Sequence, residues 1–223
     1  MDFFGYWNIC LEMGLTKHPD DLVVLDELLH ELQKPIDSEF EFGLPPGPFF
    51  GPLKTAKIVL CYANPSRDSK TSEVVEDGAL KEQLFAQLDG LQPYPYQIPG
   101  WDKWFKPVAN SLFDGNCEQA AKHISVFNLV PYASTNMDIA QSFATSLPSV
   151  WVAQEYLRYT LIPKAKRKDI LLVMCRSSQL WGLQTSHDAE NIIINRTRVG
   201  FTEDTKKKVK AWWQSLERNN LFS

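Results

Sequence analysis

Three short segments of this chain are almost unbroken in apolar character: residues 56–62 (Ala-Lys-Ile-Val-Leu-Cys-Tyr), 124–129 (Ile-Ser-Val-Phe-Asn-Leu) and 170–175 (Ile-Leu-Leu-Val-Met-Cys). A strand with one wet face alternates apolar and polar residues, so a run without alternation must be covered on both faces, as the strands of parallel sheets are. A fourth, shorter run stands at residues 192–194. Between the runs, apolar residues recur at helical spacing over 78–88, 104–113 and 149–161, the last with Trp151, Tyr156, Leu157 and Thr160. A final helix is predicted over 205–216, where Val209, Trp212, Trp213 and Leu216 share one face. Strand and helix alternate, which predicts an α/β three-layer sandwich around a central, mostly parallel sheet.

Upstream, Leu22, Leu25, Leu28, Leu29 and Leu32 predict an amphipathic helix over 22–32. The following Gly43-Leu44-Pro45-Pro46-Gly47-Pro48 sustains neither a helix nor a central strand, so residues 1–48 read as an N-terminal helical arm ending in a Pro/Gly-rich loop. With no internal repeat or low-complexity tract, residues 1–223 are expected to form a single domain, and 44% hydrophobic content suffices for its core. No apolar stretch approaches the ~20 residues of a membrane span. No basic segment precedes an apolar run at the N-terminus, so a cytoplasmic, monomeric protein is expected. Cys10, Cys61, Cys117 and Cys175 are far apart and the histidines scattered, so neither a metal nor another cofactor is expected.

The formal charge of −4 argues against a surface that binds nucleic acid indiscriminately. It permits a local patch, and residues 158–223 hold 13 Lys and Arg against 6 Asp and Glu. Such asymmetry points to a side facing a polyanion, although solvated helix-surface lysines explain many clusters of this kind.

Ligands of open parallel sheets bind beyond the carboxyl ends of the strands. There stand Tyr62-Ala63-Asn64-Pro65-Ser66-Arg67-Asp68 after the first run, Asn128-Leu129-Val130-Pro131-Tyr132 after the second and Asn195-Arg196-Thr197-Arg198 after the fourth. Asn64, Asn128 and Asn195 are therefore expected to surround one cleft. Taken singly, Asn64-Pro65 is ordinary turn chemistry, Asn128 a capping or turn amide, and Arg67 with Asp68 a solvated loop pair. The aromatic cluster Tyr94, Tyr96, Trp101, Trp104 and Phe105 reads first as core and second as a stacking surface for a base.

In order along the chain, these segments resemble the uracil-DNA glycosylase superfamily over roughly residues 49–216. The run ending Tyr62-Ala63-Asn64-Pro65-Ser66 is similar to its first motif, Gly-x-Asp-Pro-Tyr or, in the mismatch-specific branch, Gly-x-Asn-Pro-Gly. Val126-Phe127-Asn128 resembles the strand whose terminal Asn reads the flipped base, residues 170–181 its late strand leading into a helix, and Asn195-Arg196-Thr197-Arg198 occupies the place of its last motif, His/Asn-Pro-Ser-x-x-Ser. Tyr62 replaces the usual Gly, and the last motif lacks its Pro and Ser. The resemblance implies a DNA glycosylase acting on single- or double-stranded DNA. Asn64 would position water, with Asp68 lending a carboxylate; Tyr62, Ser66, Asn128 and Tyr132 would surround the base; Arg67, Asn195, Arg196 and Arg198 would contact DNA, with Phe201 or Val199 wedging the stack. Ser66 falls where uracil-specific enzymes place a blocking Tyr, which implies a mismatched, damaged or modified base, in repair or in defence against foreign DNA. Asparagine has no basicity near neutral pH, so slow turnover, or a binding module that has lost catalysis, is the alternative. An unrelated hydrolase or nucleotide-binding protein has little support, since G-x-S-x-G, the P-loop and G-x-G-x-x-G are all missing from the sequence.

Overall fold

All four apolar runs become parallel strands of one sheet, each trimmed by no more than a few residues. The computed structural model describes residues 2–31, 40–135, 138, 141, 143–176, 178–197 and 199–220. The chain begins with helices α1 (Phe3–Met13) and α2 (Leu22–Glu31), then strands β1 (Phe40–Glu41), β2 (Phe49–Phe50) and β3 (Ile58–Tyr62). Helices α3 (Thr71–Glu76), α4 (Gly78–Ala86), α5 (Trp101–Leu112) and α6 (Cys117–His123) lead to β4 (Ile124–Asn128) and β5 (Ala133–Ser134). Helix α7 (Pro148–Tyr156) widens into a π turn (Leu157–Leu161) and continues as α8 (Ile162–Lys166); Pro163, with no N–H to donate, stands where the regular ladder fails. Strands β6 (Leu171–Met174) and β7 (Ile192–Ile194) and helix α9 (Glu203–Asn220) complete the order.

The sheet runs β2-β4-β3-β6-β7, with β2 antiparallel at the edge and the other four parallel, so the fold is α/β with a mixed, mostly parallel sheet. Alternate residues point to opposite faces. Ile58, Leu60, Val126, Val173 and Ile193 pack on α3–α6 and α9, while Val59, Cys61, Phe127, Leu172 and Met174 pack on α1, α2, α7 and α8. After β3 the chain lays β4 on one side, then crosses to β6 and β7 on the other. The switch point, where such sheets open a crevice, therefore lies between β3 and β6.

Residues 2–31 are a layer of this sandwich and not an arm. Asp2 caps α1 by accepting from the Phe4 and Gly5 amides, and Phe3 lies against Phe49 and Phe127 and stacks on Tyr156 at 4.4 Å. The helix expected over 22–32 is found as α2, its last residue falling outside the described residues. Just before α2, the fully buried Asp21 accepts from Tyr132 Oη at 2.6 Å and from the Ser149 amide at 3.0 Å. One carboxylate thus ties the N-terminal layer to the loop after β4 and to the first turn of α7. Among the described residues, no helix is long and apolar enough to cross a membrane.

Burial pushes the Asp21 carboxyl above the ordinary range, and the bonds from Tyr132 and Ser149 oppose this. The folded chain then holds the proton to a higher pH than the unfolded chain, so stability falls as pH rises from about 4, the ordinary carboxyl value, through the raised one. The unfolding free energy of the wild type minus that of Asp21→Asn is expected to decrease over this window in denaturant melts. A pH-independent difference contradicts the assignment.

Candidate active site

The strand register lines up the ends of the runs. Tyr62 pairs with Asn128, Cys61 with Met174, and Met174 with Ile194. One residue further on, Asn128, Tyr62, Cys175 and Asn195 form a row across the C-terminal edge of the sheet, on the face covered by α3–α6. A cavity of about 470 Å³ opens over this row, within the roughly 300–1,000 Å³ of small-molecule sites. Asn64, Ser66, Asp68, Asn128 and Asn195 all line it. Ser66, Asp68, Arg176 and Val199 are exposed at its mouth, and Phe50, Tyr62, Trp101 and Trp104 form its aromatic wall.

Asn64 sits in the turn after β3. Its Nδ2 donates to the Pro65 carbonyl at 2.9 Å, the Tyr132 carbonyl at 3.1 Å and Ser134 Oγ at 2.8 Å. Those acceptors fix which end of the amide is nitrogen, and Oδ1 is left unsealed with no hydrogen bond from the described residues. The turn reading and the functional one therefore coexist: the nitrogen builds the turn, and the carbonyl oxygen remains an acceptor.

Asn128 ends β4 at 1% exposure. Its Nδ2 donates to the Gly47 carbonyl at 2.8 Å and its backbone amide to the Pro48 carbonyl at 2.8 Å. One N–H and Oδ1 remain without a protein partner among the described residues. The Pro/Gly-rich segment is therefore part of the site, and Gly47 has a steric reason to be glycine: a Cβ there would lie 2.2 Å from the tip of the buried Phe50 ring.

Between the two asparagines, the Tyr62 hydroxyl lies beside Cys175, and its ring meets Trp104 edge-on at 5.6 Å. Burial pushes the Cys175 thiol up to about 12, against a smaller opposing pull from Tyr62. A thiol so placed is not a nucleophile near neutral pH. Burial likewise holds the Tyr62 phenol far above its ordinary value, so it serves as a neutral donor and acceptor.

Asp68 is committed to its loop. Its Oδ1 accepts from the Lys70 amide at 2.8 Å and Thr71 Oγ1 at 3.4 Å, and Oδ2 lies 2.6 Å from where a Cβ on Gly100 would stand. Gly100, at φ +89°, opens α5, so this carboxylate braces the β3–α3 loop against that helix start. Ser66 pairs as a single bridge with Ser134 and leaves its side chain exposed.

Tyr132 does not line the cavity: it is 2% exposed, packed beside Phe40 and Phe42 with its hydroxyl on Asp21, and only its carbonyl reaches the site, through Asn64. Arg67 stands 3.3 Å from the Glu41 carboxylate. Asn195 donates to the Gly200 carbonyl at 2.9 Å and accepts from the Thr202 amide at 3.1 Å and Thr205 Oγ1 at 3.0 Å, fastening the loop into α9 with most of its amide. Phe201 is core, whereas Val199 is 87% exposed. Arg196 is exposed, and Arg198 lies outside the described residues. Lys168, Lys206 and Lys208 pair with acids of the same segment, Glu190, Glu203 and Asp204, and Lys210 pairs outside it with Asp114, so these pairs leave most of the positive excess of residues 158–223 in place. Arg176 and Arg196 have no ion-pair partner among the described residues.

Of the aromatic cluster, Phe105 is core, stacked on Tyr94 at 4.3 Å, while Trp101 and Trp104 line the cavity. Cys175 and Arg176 end the third apolar run, so the rule that singled out Asn64 and Asn128 also points to them. Phe50 belongs to a two-residue edge strand too short to show a period, and no local signal marks Ser134. Comparison with protein-family models, curated proteins and solved structures returns no match to this chain.

Gly47→Ala is expected to lower stability by about 1–3 kcal/mol, the usual range for overpacking, because the new methyl must displace either the Phe50 ring or the carbonyl that holds Asn128. Urea melts that superimpose on the wild type would refute this contact.

Proposed function

We propose that this chain has a uracil-DNA glycosylase-like arrangement and cleaves the N-glycosidic bond of a flipped mismatched, damaged or modified base, in cytoplasmic repair or in defence against foreign DNA. One observation carries the reading: the two asparagines that the resemblance makes functional line one cavity, each held through its nitrogen with Oδ1 uncommitted among the described residues.

An extruded base must find hydrogen-bonding partners for its exposed edge and a wall to stack on. Asn128 offers an acceptor and one donor from a desolvated position, where an unmatched edge is strongly penalised. The half-buried Trp104 supplies the stacking surface. Cleavage builds positive charge on the sugar and negative charge on the departing base, so a positioned water and donors to the base are the two requirements. Asn64 Oδ1 orients the water without accepting its proton; the water oxygen bonds to the sugar C1′ as the bond to the base breaks, and the proton passes by way of solvent to the departing base anion. The neutral Tyr62 hydroxyl and the second Asn128 Nδ2 N–H, unpaired among the described residues, serve as donors to the leaving base. Exposed Arg176 and Arg196 supply contacts to phosphate.

The commitment of Asp68 to its loop favours a second reading, base recognition without turnover, since no other carboxylate among the described residues lines the cavity. The two are separated by incubating the protein with DNAs bearing different bases and revealing abasic sites with alkali. Abasic sites on at least one modified DNA are expected, with Asn64→Ala slowing single-turnover cleavage by about 10² to 10⁴. Asn128→Ala should instead blur discrimination among bases. Base-selective binding with no abasic product across the panel decides for the second reading. Arg196→Ala should weaken DNA binding and reduce the salt slope by about 1; an unchanged slope removes Arg196 from the interface.

A further inference from the structure

The cavity continues past the asparagine that faces the base. Val126 lines it two residues before Asn128, about 6.6 Å back along β4. Phe50, the register partner of Val126, lines it too, with Trp101 set edge-on to Phe50 at 4.4 Å. Val74 from α3 and Leu84 from α4 close this inner end, exposed by only 1% and 2%. The polar lining residues Ser66, Asp68 and Arg176 are exposed at the opposite, outer end. The cavity thus has a polar mouth at Ser66, Asp68 and Arg176 and, behind Asn128 along β4, an annex walled by the buried Val126, Phe50, Val74 and Leu84 and the half-buried Trp101.

We infer that the ligand is a nucleobase carrying an apolar group on its exocyclic amine, an N-alkyl or N-aralkyl adenine or cytosine. This rests on the nucleobase reading of the cavity. The hydrogen-bonding edge of the base faces Asn128, and the annex begins beyond Asn128, so a group filling it must project from that same edge. An N-substituted amine still has one N–H, which donates to Oδ1, and the adjacent ring nitrogen accepts the Nδ2 proton that Gly47 does not take. Asparagine makes this two-point contact with an amine and its neighbouring ring nitrogen in general. The substituent enters the annex without displacing either bond.

Binding of adenine, N6-butyladenine and 8-butyladenine, with cytosine and N4-butylcytosine as the pyrimidine arm, is read from the quenching of tryptophan fluorescence and confirmed by calorimetry. Each buried methylene tightens binding by about fourfold, so an N-butyl base is expected to bind at least tenfold more tightly than its parent. The 8-butyl isomer, substituted on another edge, should gain less than threefold. Leu84→Phe fills the annex and should bring the ratio of N-butyl to parent close to one, and Val74→Leu, a smaller change, should reduce it in the same direction. Equal affinity for parent and N-butyl bases, or an equal gain for the 8-butyl isomer, overturns the annex and leaves the nucleobase reading standing. Failure of all five bases to bind overturns both. A gain in only one of the adenine and cytosine arms supports the inference and names the ring.

Discussion

A parallel strand that is apolar on both sides must be covered on both sides, and the rest of this molecule follows from that requirement. Four such strands side by side demand two helical layers, one of which cannot be completed from the segments between the strands. Residues 2–31 are drawn in to complete it. Phe3, Tyr6, Trp7 and Cys10 bury against the face of Val59, Cys61 and Phe127, and Asp21 bolts this layer to the loop after β4. Since Tyr132, which donates to Asp21, also offers its carbonyl to Asn64, the N-terminal layer has a direct connection to the site.

The same requirement places the chemistry. Apolar runs in register stop at one level, and the first polar side chains beyond them share one edge. At that edge, burial decides what each can do. A carboxamide out of water must be hydrogen-bonded or it costs the molecule stability. Asn195 meets that condition mostly within its own loop. Asn64 and Asn128 meet it through nitrogen and, among the described residues, leave Oδ1 without a hydrogen bond while lining the cavity.

Much of this was legible in the sequence because period and burial speak through runs of several residues. The four strands, the helices flanking them and the common edge of Asn64, Asn128 and Asn195 all follow from unbroken or 3.6-fold apolar patterning. What was not legible depends on single long-range contacts. Tyr132 reads as a site residue by position, yet its hydroxyl goes 111 residues back to Asp21. The charge count over residues 158–223 does not show which cations are paired, and Lys210 finds its partner 96 residues away, at Asp114. The Pro/Gly-rich stretch reads as a linker because its carbonyls carry no sequence signature, although the Gly47 carbonyl holds Asn128. Helix α1 escapes because its buried Phe3, Tyr6, Trp7 and Cys10 are set among further apolar residues, Phe4, Ile9 and Leu11, which blurs the amphipathic period.

The central claim is that the cavity over the strand ends receives a base turned out of DNA. It is tested most directly by a crystal structure of the protein with DNA carrying a non-cleavable 2′-fluoro nucleotide at a base selected in the cleavage panel. The expected result is a base lying against the aromatic wall with its hydrogen-bonding edge on Asn128 and its sugar facing Asn64. A complex in which the DNA stays fully stacked, or lies away from the C-terminal edge of the sheet, contradicts the claim.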